Sequence, residues 1–121
     1  MMRPNPDAHP SQFRLFAFGL DEILERNEIA HDTVVDARKR FPIIWVDVDG
    51  LSDIGAIREL GEEFDLHGLA LEDVVNVHQR PKAEDYESSL FVVLRMPAIG
   101  NRVSTEQMSM FIGDGFVLTF Q

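Results

Sequence analysis

No cysteine occurs among the 121 residues, which excludes disulfides and thiolate metal sites. A reducing compartment is compatible with that absence but not required by it. No uninterrupted apolar run comes near the ~20 residues that a membrane-spanning helix needs, and Met1 to Pro10 has no apolar centre of the kind a secretory signal carries. Basic residues are also scarce. Eleven Lys and Arg face 21 Asp and Glu, giving a formal net charge of −10. That balance argues against nucleic acid or an anionic membrane surface as partner, because phosphate contacts need clustered cations. There is no glycine-rich phosphate loop and no Ser or Cys nucleophile with a base beside it. An EF-hand loop counted from Asp47 or Asp49 puts Arg58 or Leu60 where a bidentate glutamate must stand.

What is present is enough for one domain. The hydrophobic fraction is 45%, too high for a disordered chain. Pro4, Pro6 and Pro10 mark residues 1–12 as a flexible tail, with the folded domain expected over 13–121. Phe13 to Phe18 is aromatic and ends at Gly19, which predicts a strand. Leu20 to Arg26 has helical propensity. Asp32 is the expected N-cap of a helix from Thr33 to Arg40, with Val34, Val35 and Ala37 inward and Pro42 closing it. Ile43 to Val48 is the clearest strand, with Ile44, Val46 and Val48 on one face. Gly50 then turns the chain, and Ser52 or Asp53 caps a helix to about Asp65 whose apolar stripe is Ile54, Ile57, Leu60, Gly61 and Phe64.

From Glu84 the period changes from 3.6 to 2. One long strand is expected, with Tyr86, Leu90, Val92, Leu94 and Met96 on one side and Phe91, Val93 and Arg95 on the other. A turn over Pro97 to Arg102 follows. In the next strand Met108, Met110 and Ile112 alternate with Gln107, Ser109 and Phe111, and the methionines read as core filler. Gly113-Asp114-Gly115 signals a hairpin into Phe116 to Phe120. The fold class is therefore α/β, a mixed sheet packed by helices with an antiparallel meander in its C-terminal half. No residue caps the final strand at Gln121, and the chain is expected to be a piece of a longer one.

Between these halves lies His67 to Lys82. Leu71, Val74 and Val75 give a short helix one apolar face, while Glu72, Asp73 and Asn76 point elsewhere. Arg80 precedes proline, so the helix should stop before it, leaving His78, Arg80 and Lys82 beyond its C-terminus. His67 and His78 are too far apart for a one-turn zinc pair and read as capping or turn residues. His9 and His31 have no partner at ligand spacing. Adjacent Glu72 and Asp73 are hard oxygen donors of the type Mg²⁺ accepts, yet neighbours on a helix diverge by about 100°, so another element would have to complete a site.

The run L-x-L-E-D-V-x-N-V-H-Q-R-P-K-x-E over Leu69 to Glu84 resembles the cytoplasmic domain of CorA-type magnesium and cobalt transporters. Trp45-Val46-Asp47, Phe64 to His67, Glu106 to Ser109 and Val117 to Gln121 stand in the same order, and the resemblance covers residues 13–121. It implies a second strand over Leu20 to Arg26 paired with the first. It further implies a homopentamer whose pore is built from C-terminal transmembrane helices, and a cytoplasmic domain that senses Mg²⁺ and gates transport of Mg²⁺ or Co²⁺. Asp73, with Glu72 close by, matches the position that binds a regulatory divalent ion between subunits, its partner carboxylates coming from later helices. The isolated chain is then expected to bind Mg²⁺ weakly or not at all. A departure is Gly68, where the family commonly has proline, and a looser start to the helix is expected. A zinc-transporting relative of the same family fits this half of a chain equally.

A different class competes. Asp47-Val48-Asp49-Gly50 after an apolar strand is similar to the opening motif of haloacid-dehalogenase-type phosphatases, with Asp47 as nucleophile, Asp49 as acid/base and Thr119 as the later hydroxyl. The plainer reading is a strand leaving the core into an acidic turn, with no enzyme activity.

Overall fold

The computed structural model describes Met2 and residues 10–98 and 104–121. The remaining residues, including His9, most of the expected tail and the tip of the 97–102 turn, lie outside the described residues. Ten elements follow in order: β1 (Gln12–Phe18), β2 (Ile23–Asn27), α1 (His31–Arg40), β3 (Ile43–Asp49), α2 (Ile54–Glu63), α3 (Gly68–Val75), β4 (Lys82–Tyr86), β5 (Ser89–Ala98), β6 (Ser104–Gly113) and β7 (Phe116–Phe120). The strands form one seven-stranded sheet in the order β2-β1-β3-β7-β6-β5-β4. Only β3 and β7 run parallel, and every other pair is antiparallel. The α/β class with a mixed sheet and a C-terminal meander is what the structure shows.

The sheet has one covered face. Leu15, Ala17, Ile44, Val46, Val48, Phe91, Val93, Phe111 and Leu118 point into a core shared with Val34 and Ala37 of α1, Ile57 and Leu60 of α2, and Leu71 and Val74 of α3. Period 2 along a strand forces the alternate residues onto the opposite face. There the strand register lines up Phe16, Trp45, Val117, Ile112 and Leu90 across β1, β3, β7, β6 and β5. No helix among the described residues covers that row, and Ile112 stays 40% and Leu90 38% exposed.

Several local expectations change. Residues 23–27 are β2, so pairing with β1 overrides their helical propensity. The first helix begins at His31, its N-cap position is Ala30 without a side-chain bond, and Asp32 sits in the first turn instead of capping. Asp53 does cap α2, Oδ1 accepting from the Ala56 amide at 3.0 Å. The single strand expected from Tyr86 onward is two strands. A turn at Glu87-Ser88 reverses the chain, so Tyr86 joins Lys82 and Glu84 on the helix side while Leu90 faces the open side. Met108 and Met110 are half-buried on that open side and do not fill the core. Gly115 is required where it stands: its φ is +78°, and a Cβ there would lie 2.7 Å from the Pro42 carbonyl oxygen.

Candidate metal-responsive helix and its ion pairs

Helix α3 is short, eight residues, and below the length at which propensity alone sustains a helix. Side chains from elsewhere hold it. At its start the His67 Nδ1 accepts from the Leu69 amide at 3.2 Å, the N-cap role expected of that histidine. The same imidazole stacks on Tyr86, ring centroids 4.7 Å apart. Along its inner face Ala70, Leu71, Val74 and Val75 are buried. Its end is fixed from the sheet. Buried Gln107 donates through Nε2 to the Asp73 carbonyl at 3.0 Å and accepts the Gln79 amide at 3.0 Å through Oε1. Beside it, Arg95 donates to the Val77 carbonyl at 3.0 Å. Arg95 and Gln107 are register partners on β5 and β6, so one rung of the sheet grips the 73–79 segment. Sequence reasoning missed both residues. The signal was a glutamine placed among core-facing Ser109 and Phe111, which a buried position allows only if the amide is paired.

This scaffold presents Asp73 at the surface, its side chain 25% exposed. Oδ2 accepts from Lys82 Nζ at 2.5 Å, and Lys82 also contacts Glu84 Oε1 at 2.6 Å. Tyr86 completes the chain by donating to Glu84 Oε2 at 3.1 Å. Lys82 therefore opens β4 and is shared between two carboxylates; it does not serve as a C-terminal cation for α3. Its hydrogen bonds to Asp73 and Glu84 raise the lysine pKa above its ordinary value. The bond from Lys82, aided by that from Tyr86, lowers the Glu84 pKa. Burial first, then the bond to Glu84, raises that of Tyr86. Glu72 lies beside Asp73 on α3, half-buried. Among the described residues no group of three or more His, Cys, Asp or Glu side chains converges to hold a metal ion. The described residues alone thus make no closed metal site, and their fit to a divalent ion is limited to offering a carboxylate.

The other candidate pair is arranged differently. Asp47 and Thr119 are register partners on parallel β3 and β7, and both are 2% exposed. Asp47 Oδ1 accepts from Thr119 Oγ1 at 2.7 Å, and Oδ2 accepts from Arg14 Nη2 at 2.8 Å. Trp45 Nε1 donates to the same threonine oxygen at 2.9 Å and its ring stacks on Phe16 at 4.8 Å. The sequence motif does bring Asp47 and Thr119 together, but each carboxylate oxygen already carries a hydrogen bond within the sheet face. A nucleophile must reach its substrate, and Asp47 is 2% exposed. The pair instead satisfies a buried charge.

A third feature is a cleft of about 210 Å³ between α1 and α2, lined in part by Phe13, His31, Val34, Asp53 and Glu59. His31 Nδ1 lies 3.7 Å from Glu59 and has no hydrogen-bond partner among the described residues.

Residues 42–121 match the CorA-like Mg²⁺ transporter protein family. The cobalt/magnesium transport protein CorA of Thermotoga maritima is 30% identical over 113 residues, which are 91% of this chain and 32% of that protein. The soluble domain of CorA from Methanocaldococcus jannaschii superposes with a TM-score of 0.66 at 16% identity, covering 88% of this chain and 39% of that one. The complete CorA magnesium transporter of the same organism gives the same TM-score and identity, with 31% of its length covered. At that identity the likeness is one of fold. The chain spans about a third of the length of these relatives, and no helix among its described residues is long and apolar enough to cross a membrane.

Proposed function

The chain belongs to the CorA-like Mg²⁺ transporter family, and we propose that it is the cytoplasmic regulatory domain of a transporter for Mg²⁺ or Co²⁺. The observation that carries this reading is the placement of Asp73. A short helix, fixed at one end by His67 and at the other by Gln107, holds a carboxylate at the surface with Oδ1 unpartnered among the described residues. Mg²⁺ keeps most of its waters and takes one or two carboxylates, so Asp73 offers one ligand, with Glu72 near, and a neighbouring subunit offers the rest. In a homopentamer of subunits this acidic, such ions offset repulsion between like charges. Subunits bridged by ions hold the pore closed; subunits without them separate, a two-state equilibrium biased by the ion. The row from Phe16 to Leu90, which no helix among the described residues covers, is the surface on which the remainder of the transporter packs.

The test uses the full-length transporter. Asp73→Ala should blunt the block of transport by cytosolic Mg²⁺, shifting the half-blocking concentration upward. Unchanged block counts against a regulatory role for Asp73.

A further inference from the structure

We propose that Lys82 is a tethered counter-cation of Asp73, holding that carboxylate until a divalent cation displaces its ammonium onto Glu84. The inference deepens the reading above and rests on Asp73 being the carboxylate the ion meets. Three observations carry it. Lys82 Nζ already contacts both acids, Asp73 at 2.5 Å and Glu84 at 2.6 Å, so the alternative acceptor is in place before any ion arrives. The two acids stand on different elements, α3 and β4, and lysine reaches them through a flexible four-carbon stem ending in a point charge with three donors. Glu84 itself is fixed by Tyr86 at 3.1 Å, and Tyr86 by the His67 ring. The released ammonium therefore lands on a positioned acceptor and no charge is stranded.

The consequence is an exchange: a divalent ion at Asp73 must outbid one tethered positive charge, which raises the concentration at which the domain responds. A tethered competitor acts at an effective concentration that free monovalent salt does not match. It thereby discriminates ions by charge, since a monovalent ion gains nothing over an ammonium already seated, whereas a divalent one does.

The experiment is a Mn²⁺ titration of the purified full-length transporter, in which neighbouring subunits can complete the site, read by the electron paramagnetic resonance of free Mn²⁺. It compares the wild-type protein with Lys82→Met, Lys82→Arg and Lys39→Met. Methionine keeps an unbranched stem over the Phe91 ring, which Nζ approaches at 5.8 Å, and circular dichroism verifies the fold. Lys39 is exposed on α1 and changes the net charge equally. Lys82→Met should bind Mn²⁺ about tenfold more tightly than wild type, and Lys82→Arg and Lys39→Met should not. Equal affinity in wild type and Lys82→Met, or no binding in either, overturns the proposal. Adding Asp73→Asn to Lys82→Met should abolish the gain. A gain that survives means the ion sits elsewhere, which sinks the metal role of Asp73 as well; a Mn²⁺ affinity lost with Asp73→Asn but unchanged by Lys82→Met sinks only the counter-cation.

Discussion

Two aspartates, each paired with a cation, stand on the two sides of this sheet and do opposite things. Asp47 is 2% exposed and both of its oxygens are bonded, to Arg14 and to Thr119. Asp73 is a quarter exposed, and one oxygen carries a lysine that it shares with Glu84. The cations match these settings. Arg14 offers a planar fork with fixed geometry, whereas Lys82 is a mobile point charge. Strand register positions Asp47, so nothing there can move without unpairing the sheet. Asp73 hangs from a helix end gripped by side chains, and its counter-ion sits on a long stem. The sheet-face pair suits stability, and the helix pair suits exchange.

The largest effect should come from breaking the buried pair. Asp47→Ala strips the acceptor from buried Thr119 and from Arg14, and should cost about 2–3 kcal/mol in urea denaturation. A loss under about 0.5 kcal/mol would place Asp47 with the exchangeable pairs. Gln107→Leu comes next. It orphans the Asp73 carbonyl and the Gln79 amide and should cost about 1–2 kcal/mol. It should also speed hydrogen exchange over residues 76–79 more than in β7. Asp73→Asn should cost less than about 1 kcal/mol, as exposed ion pairs do. That small cost should shrink further in high salt, whereas the cost of Asp47→Ala should not.

Gly68→Ala should stabilise by about 0.5 kcal/mol, because a Cβ there meets nothing within 4 Å and the unfolded chain loses freedom. Its effect on the start of α3 should appear as slower exchange at Leu71. The last prediction concerns pH. Glu84 has a lowered pKa, so its contribution is present above its unfolded value of about 4.3 and is lost as pH falls through the folded one. Lys82 and Tyr86 have raised values, so theirs is present below about pH 10 and is lost as pH rises through the folded ones. The stability difference between wild type and Lys82→Met should therefore be flat from about pH 5 to 9 and vanish outside that window. A difference that persists at about pH 3 would assign it to packing on Phe91.

The sequence showed α2, α3 and β3 through periodicity and turn residues, and the resemblance added β2. Asp73 became a candidate through the family resemblance, and Asp47 and Thr119 through the likeness to a phosphatase motif. What stayed hidden depends on distant partners. The Glu87-Ser88 turn has neither glycine nor proline, so two strands read as one and Tyr86 was put on the wrong face. Gln107 bonds a carbonyl 34 residues away, a distance at which no spacing rule operates. Lys82 looked like a helix-end cation because the strand it begins was unseen. The methionines looked like core because alternation fixes which residues share a face, and says nothing of which face is covered.

The contrast between the two carboxylates is tested most directly by nuclear magnetic resonance of the ¹⁵N-labelled wild-type chain with Mn²⁺ added in excess. Amide signals of residues 72–74 should broaden before those of Asp47 and Thr119, and Asp47 should stay sharp throughout. Broadening that begins at Asp47 and Thr119, with Asp73 untouched, would contradict the assignment of a closed pair to the sheet and an exchangeable one to the helix.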